Sequence, residues 1–247
     1  MKRILDWQVK LGLLLIALSA LVYLIHFAIF RDVHHIFIYL IGDIAFVFFE
    51  VLMVTLVIHQ LLHHREKKAL LNKLNMVIGA FFSEVGTDLL KTFSGFDPNA
   101  AKIIDRLIID GDWSDEEFTK VRTELKRYDC AIDITRADLE NVRKFLKERR
   151  QFLLTLLENP NLLEHESFTN LLWAVFHLTE ELVHRKDLRR LPETDYQHLA
   201  GDMKRAYRQL LSEWLDYMKH LKKNYSYLFS LAMRTNPFDS DASVEVK

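Results

Sequence analysis

Two acidic residues, Asp43 and Glu50, stand one heptad apart inside an apolar run long enough to cross a membrane. A carboxylate near the centre of a membrane helix costs roughly 3 kcal/mol even on lenient scales. Such groups therefore face a partner helix or water, and they mark a candidate route for ions or protons. The segment that follows carries its own pattern. Leu71, Leu74, Ile78, Phe81 and Val85 recur at steps of three and four, the spacing of a coiled-coil seam between subunits. Carried back in the same phase, the seam runs through His64, Val57, Glu50 and Asp43, with Lys67, Gln60, Met53 and Phe46 on the companion row.

In a closed ring of such helices, Asp43 and Glu50 become two carboxylate rings about 10 Å apart on a shared axis. Rings of that kind concentrate cations and replace part of their hydration shell. Gln60, His64 and Lys67 line the inner exit, and Phe46, Met53 and Val57 form narrow apolar levels. A structural reading competes with this one. Asp43 then pairs with His26 of the first apolar run, and Glu50, level with Ser19 in an antiparallel hairpin, is protonated and hydrogen-bonded.

Other clusters carry less chemistry. His59 and His63 are four apart on one helix face, a metal-chelating spacing, with His64 beside them. Their setting, HHREKK at the end of an apolar run, reads instead as contact with lipid headgroups. A haem bridging His26 and His59 within a subunit is not expected, because His26 lies near the outer end of the first span and His59 at the inner end of the second. The segment HLTEELVH puts His177, Glu181 and His184 on one face, and Glu181-x-x-His184 has the form of half a di-iron motif. Its near-match, Asp195-x-x-His198, substitutes Asp for Glu. Leu171, Val175, Leu178 and Leu182 define the apolar face opposite, so His177 and Glu181 are expected on a solvated face.

Asp110-Gly111-Asp112 opens like a calcium loop, but Asp115 and Val121 occupy the places of its glycine and bidentate glutamate. Cys130 has Asp129 and Asp133 as neighbours, which disfavour a reactive thiolate. No catalytic set, metal or cofactor is expected, and the chain does not read as an enzyme.

The elements that position these residues are helical throughout. The first apolar run, residues 11–30, covers about 30 Å at 1.5 Å per residue, the thickness of a bilayer core. The second covers residues 36–62, and RDVHH between them makes a two-span transmembrane hairpin. Ala17-Leu18-Ser19 resembles a signal-peptidase site, yet the run continues past it to Phe30, as an uncleaved anchor does. Lys2, Arg3 and Lys10 precede the first span, and Arg65, Lys67, Lys68 and Lys73 follow the second, with Arg31 alone in the connection. The excess of basic residues on one side places both termini in the cytoplasm. The single cysteine, Cys130, agrees with a reducing compartment.

The remainder is sparse in glycine and shows no strand alternation. Helices are expected over residues 69–93, 98–109 and 114–128, from the Thr135 and Asp138 cap signal to 158, where Asn159-Pro160 is the stop, and over 167–186 and 192–223; Asp97-Pro98 and the Ser114–Glu117 capping box start the second and third. Small residues Gly79, Ser83 and Gly86 share a face on which backbones approach closely. The 247 residues hold 33 Lys and Arg against 34 Asp and Glu, a balance without the concentrated basic face that nucleic acid requires.

The expected organisation is all-α: a cytoplasmic N-terminus (1–10), a transmembrane hairpin (11–62), a connecting coiled-coil-like helix (63–96), a cytoplasmic helical bundle (97–236) and a disordered tail (237–247). The function this implies is a homo-oligomeric cation or proton conduit in the bilayer, lined by the second span and regulated by the bundle. The alternative is a membrane-anchored scaffold whose bundle binds a cytoplasmic protein partner, without transport.

Overall fold

A computed structural model describes the backbone of residues 2–245 and, apart from residues 2–6, 8, 67–72 and 163, their side chains. It is 80% helix, with no strand among the described residues. The helices are α1 (Lys2–Phe30), α2 (Val33–Phe81), α3 (Thr87–Phe96), α4 (Ile104–Leu107), α5 (Asp115–Arg127), α6 (Leu139–Leu157), α7 (Glu166–His184), α8 (Glu193–Asn224) and α9 (Ser226–Arg234). The chain divides into two compact units, Met1–Glu66 and Lys67–Lys247.

In the first unit, Val9–Phe30 and Val33–Glu66 are each long and apolar enough to cross a membrane, and neither stretch has a buried residue. The corner between α1 and α2 is specified locally. Arg31 takes the left-handed conformation at φ 50° and donates its N–H to the Phe27 carbonyl at 2.9 Å, which closes α1. Asp32 Oδ1 then accepts from the His35 N–H at 3.2 Å and starts α2. Next to the corner, the His26 and His35 rings stack at 5.7 Å.

The second unit has a continuous apolar core. α7 packs on α6 and α8, and α8 also meets α3, α5 and α9. The end of α2 belongs to this core, since Leu74, Ile78, Phe81 and Val85 are all buried there. Phe81 meets Phe168 of α7 edge-on at 5.5 Å, and Phe82 stacks on Tyr217 of α8 at 5.0 Å. Four of the five residues expected to form an intersubunit seam thus have their partner inside the same chain. The fifth, Leu71, lies outside the described side chains, as does Lys67.

Between α2 and α3, Phe82–Gly86 forms one π-helical turn. The wider turn lets adjacent residues face inward in pairs: Phe81 with Phe82, Val85 with Gly86, Leu89 with Leu90. Gly86 is required there, because a Cβ would stand 2.6 Å from the Phe82 ring and 2.9 Å from the Phe81 ring.

The capping signals act as expected in most places. Ser114 and Glu117 form a reciprocal capping box at α5; at α6 Asp138 is the cap, accepting from Asn141 N–H at 3.1 Å, while Thr135 donates to Asp133 Oδ1 instead of capping. Asp97 departs from expectation. In place of a helix to residue 109 there is a 3-10 turn, Ala100–Lys102, and the one-turn α4. The tail is held further than expected: Phe238 is buried edge-on against Trp214 at 5.1 Å, and Asn236 Nδ2 donates to the Leu107 carbonyl at 2.8 Å.

Candidate functional site

The acidic line of α2 is exposed. Asp43, Glu50, Val57 and His64 all lie on its surface, and among the described residues no hydrogen bond or ion pair reaches Asp43 or Glu50. His26 packs against Phe30 and His35 rather than meeting Asp43. Ser19 is exposed. The structure brings none of these residues together within the chain, and the seam that set their phase is occupied by the domain core.

A denser arrangement lies where α7 crosses α8. The connection from Arg185 to Pro192 reverses the chain, so His177 of α7 faces Asp202 of α8 while Glu181 faces His198. His177 Nε2 and His198 Nε2 each stand 3.3 Å from Asp202 Oδ2. The same two nitrogens stand 3.8 Å from Glu181, one from each carboxylate oxygen. Asp202 is only 2% exposed, and among the described residues its Oδ2 has no hydrogen-bond partner although two imidazoles are close. Its other oxygen, Oδ1, pairs with Arg205 at 3.3 Å.

Arg185 steadies the other carboxylate. It donates to Glu181 Oε2 at 2.5 Å and grips both oxygens of Asp195 at 2.6 and 2.8 Å. That hydrogen bond, with the nearby positive charge, holds the Glu181 carboxyl below the ordinary glutamate range. The polar face of α7 is therefore half-closed by α8 instead of fully solvated. His184 stands apart, with Nδ1 2.8 Å from the Glu180 carbonyl, and Asp195 serves Arg185. The residue missed from sequence is Asp202. Its signal was the four-residue step His198–Asp202, matched by His177–Glu181, rather than the three-residue step of the di-iron motif.

A third polar feature is structural. Asp97, 4% exposed, accepts from the backbone N–H groups of Asn99 at 2.9 Å and Ala131 at 3.2 Å, and from the Tyr128 hydroxyl. This ties the end of α3 to the α5–α6 connection. Burial, then the bond to Asp97, pushes the Tyr128 hydroxyl far above its usual value, so it stays protonated. Cys130 is buried nearby, and burial raises its thiol despite the opposing charge of Arg208. Tyr128 and Cys130 border a cleft of about 340 Å³ that Arg122, Lys126 and Arg208 also line.

Two apolar helices and a separate all-helical domain define the class of protein. The chain belongs to the MJ1433 family: residues 2–62 match "MJ1433, N-terminal helical domain", and residues 70–234 match "Uncharacterized protein MJ1433, C-terminal helical domain". It is 48% identical over 238 residues to the uncharacterized protein MJ1433 of Methanocaldococcus jannaschii, covering 96% of each chain. The gap between the two matched stretches brackets the Glu66/Lys67 boundary between the compact units. No solved structure matches the chain.

Proposed function

We propose that the protein is a membrane-anchored helical module, in which α1 and the apolar part of α2 tether the domain from residue 67 onward to a bilayer. The observation that carries this reading is the exposure of two apolar helical stretches with no buried residue. Water does not tolerate so large an apolar surface, whereas lipid does, and the helices satisfy their own backbone hydrogen bonds there. In this reading the hairpin loop crosses to the far side, both termini are cytoplasmic, and the domain binds a protein partner instead of catalysing a reaction. The basic residues around both spans support that orientation.

Fractionation tests the anchor. The full chain should stay in the membrane pellet through alkaline carbonate extraction; release into the supernatant refutes the reading. In a Cys130→Ser background, Asp32→Cys should react with an impermeant maleimide on intact cells and Ser240→Cys should not. The reverse pattern overturns the orientation.

A cation conduit is the second reading, favoured by two carboxylates that lie within an apolar stretch and that no hydrogen bond or ion pair reaches among the described residues. It requires several copies of α2 around an axis, and the buried seam residues no longer argue for that packing. Liposome flux decides it. Equal, negligible flux from wild type and from the Asp43→Asn, Glu50→Gln double variant rules out conduction.

A further inference from the structure

We propose that α7 and α8 bind one divalent transition-metal ion of the zinc class between His177, His198 and Asp202, with Glu181 beside them. This rests on the geometry of the helical domain and is independent of the membrane reading.

The donor spacing is that of a coordination shell. Four ligands at 2.0–2.1 Å from a tetrahedral ion are separated from one another by about 3.3–3.4 Å. Here both imidazole nitrogens stand 3.3 Å from Asp202 Oδ2 and 3.8 Å from Glu181, and the donor atoms of His177, His198 and Asp202 all lie within 4.8 Å of one another. A plain ion pair between histidine and aspartate would aim an N–H at the carboxylate oxygen. Among the described residues no hydrogen bond reaches Asp202 Oδ2, so two nitrogens crowd an oxygen that neither of them satisfies. Ligands sharing one ion stand in that relation, because each donor points at the common centre and not at its neighbour.

Burial strengthens the case. A carboxylate oxygen shut away from water without a donor costs stability unless something positive approaches it. Asp202 is 2% exposed, and its unpartnered oxygen faces the histidines. The half-exposed imidazoles, at 45% and 51%, leave a way in from solvent.

The supporting groups have the form expected around metal ligands. Arg205 holds the far oxygen of Asp202, which leaves Oδ2 toward the histidines, and Arg185 holds Glu181 through Oε2, which leaves Oε1 on the side of His177. Two imidazoles with a carboxylate select a zinc-class ion over calcium or magnesium, which prefer all-oxygen shells. Three protein donors leave one position of a tetrahedron for water or for Glu181 Oε1. The ion would pin α7 to α8 near the turn that joins them.

The test uses the full chain in detergent, stripped with a chelator and titrated with zinc or cobalt(II). Wild type should take up one tightly held equivalent, give the intense visible absorption of tetrahedral cobalt, and unfold at a higher temperature with zinc than without. His177→Ala/His198→Ala, at exposed positions that leave the core intact, should weaken binding by more than 100-fold and abolish the thermal shift. Arg205→Ala should weaken binding about 10- to 100-fold, the usual cost of losing an orienting partner. His59→Ala/His63→Ala, which removes the other i,i+4 histidine pair, should leave the tight equivalent unchanged. The proposal is overturned if wild type binds no tight equivalent, or if the tight equivalent survives loss of both His177 and His198.

Discussion

Asp97 and Asp202 are both buried carboxylates in one domain, and the domain treats them in opposite ways. Asp97 accepts from two backbone N–H groups and a tyrosine hydroxyl, so its desolvation is met by donors that fold into place with it. Asp202 has an arginine on one oxygen and, among the described residues, only two ill-aimed imidazoles by the other. Burial alone therefore does not separate structure from site. The separation lies in whether the acceptors are filled, since a filled carboxylate has nothing left to offer a ligand.

Substitution at the filled site should have the largest effect. Asp97→Ala strands the Tyr128 hydroxyl and the N–H groups of Asn99 and Ala131, each of which loses its acceptor. A loss of about 3 kcal/mol is expected, measured by denaturant unfolding of the full chain in detergent. Tyr128→Phe removes one donor and keeps the ring, so about 1.5 kcal/mol is expected in the same assay. Asp202→Asn keeps shape and burial while removing the charge. It should change metal-free stability by no more than about 1 kcal/mol, yet eliminate tight zinc uptake. If Asp202→Asn instead unfolds the domain as severely as Asp97→Ala, the contrast between the two acids fails.

Much of the helical framework was legible because its signals are local. The Ser114–Glu117 box, Asp138 and Asn159-Pro160 each act within a few residues, and the structure starts or ends helices at all three. What lay beyond local reading was the identity of the covering partner. The stripe from Leu74 to Val85 shows an apolar face, and its partners include Phe168, which the pattern cannot identify across so many intervening residues. The face of α7 bearing His177 and Glu181 looked solvated for the same reason, since only the packing of α8 supplies His198 and Asp202. The paired aromatic positions at Phe81 and Phe82 obscured the π turn, because a three-four repeat accommodates only one residue of each pair. An apolar or polar face is written in a single helix, but what meets it is a property of the fold.

The smallest expected effect comes from a surface pair that neither buries nor frees an acceptor. Arg150 of α6 donates to both oxygens of Glu180 of α7, at 2.6 and 3.3 Å, across an interface open to solvent. The hydrogen bond from Arg150, with its charge, holds the Glu180 carboxyl below the ordinary glutamate value of 4.5. A carboxylate with a lowered folded pKa stabilises the fold fully above its unfolded value, and that contribution disappears as pH falls through the folded one. Arg150→Met should therefore unfold slightly more easily than wild type at neutral pH and low salt, with the difference shrinking on acidification below 4.5. Added salt should shrink it too, because solvent and ions already screen the pair. A difference that persisted undiminished in acid and in high salt would mean that Arg150 acts through its packing over the Phe176 ring, 5.7 Å away, and not through its charge. Surface electrostatics would then rank below even this small contribution, and the differences among the domain's acids would rest on burial and hydrogen bonding alone.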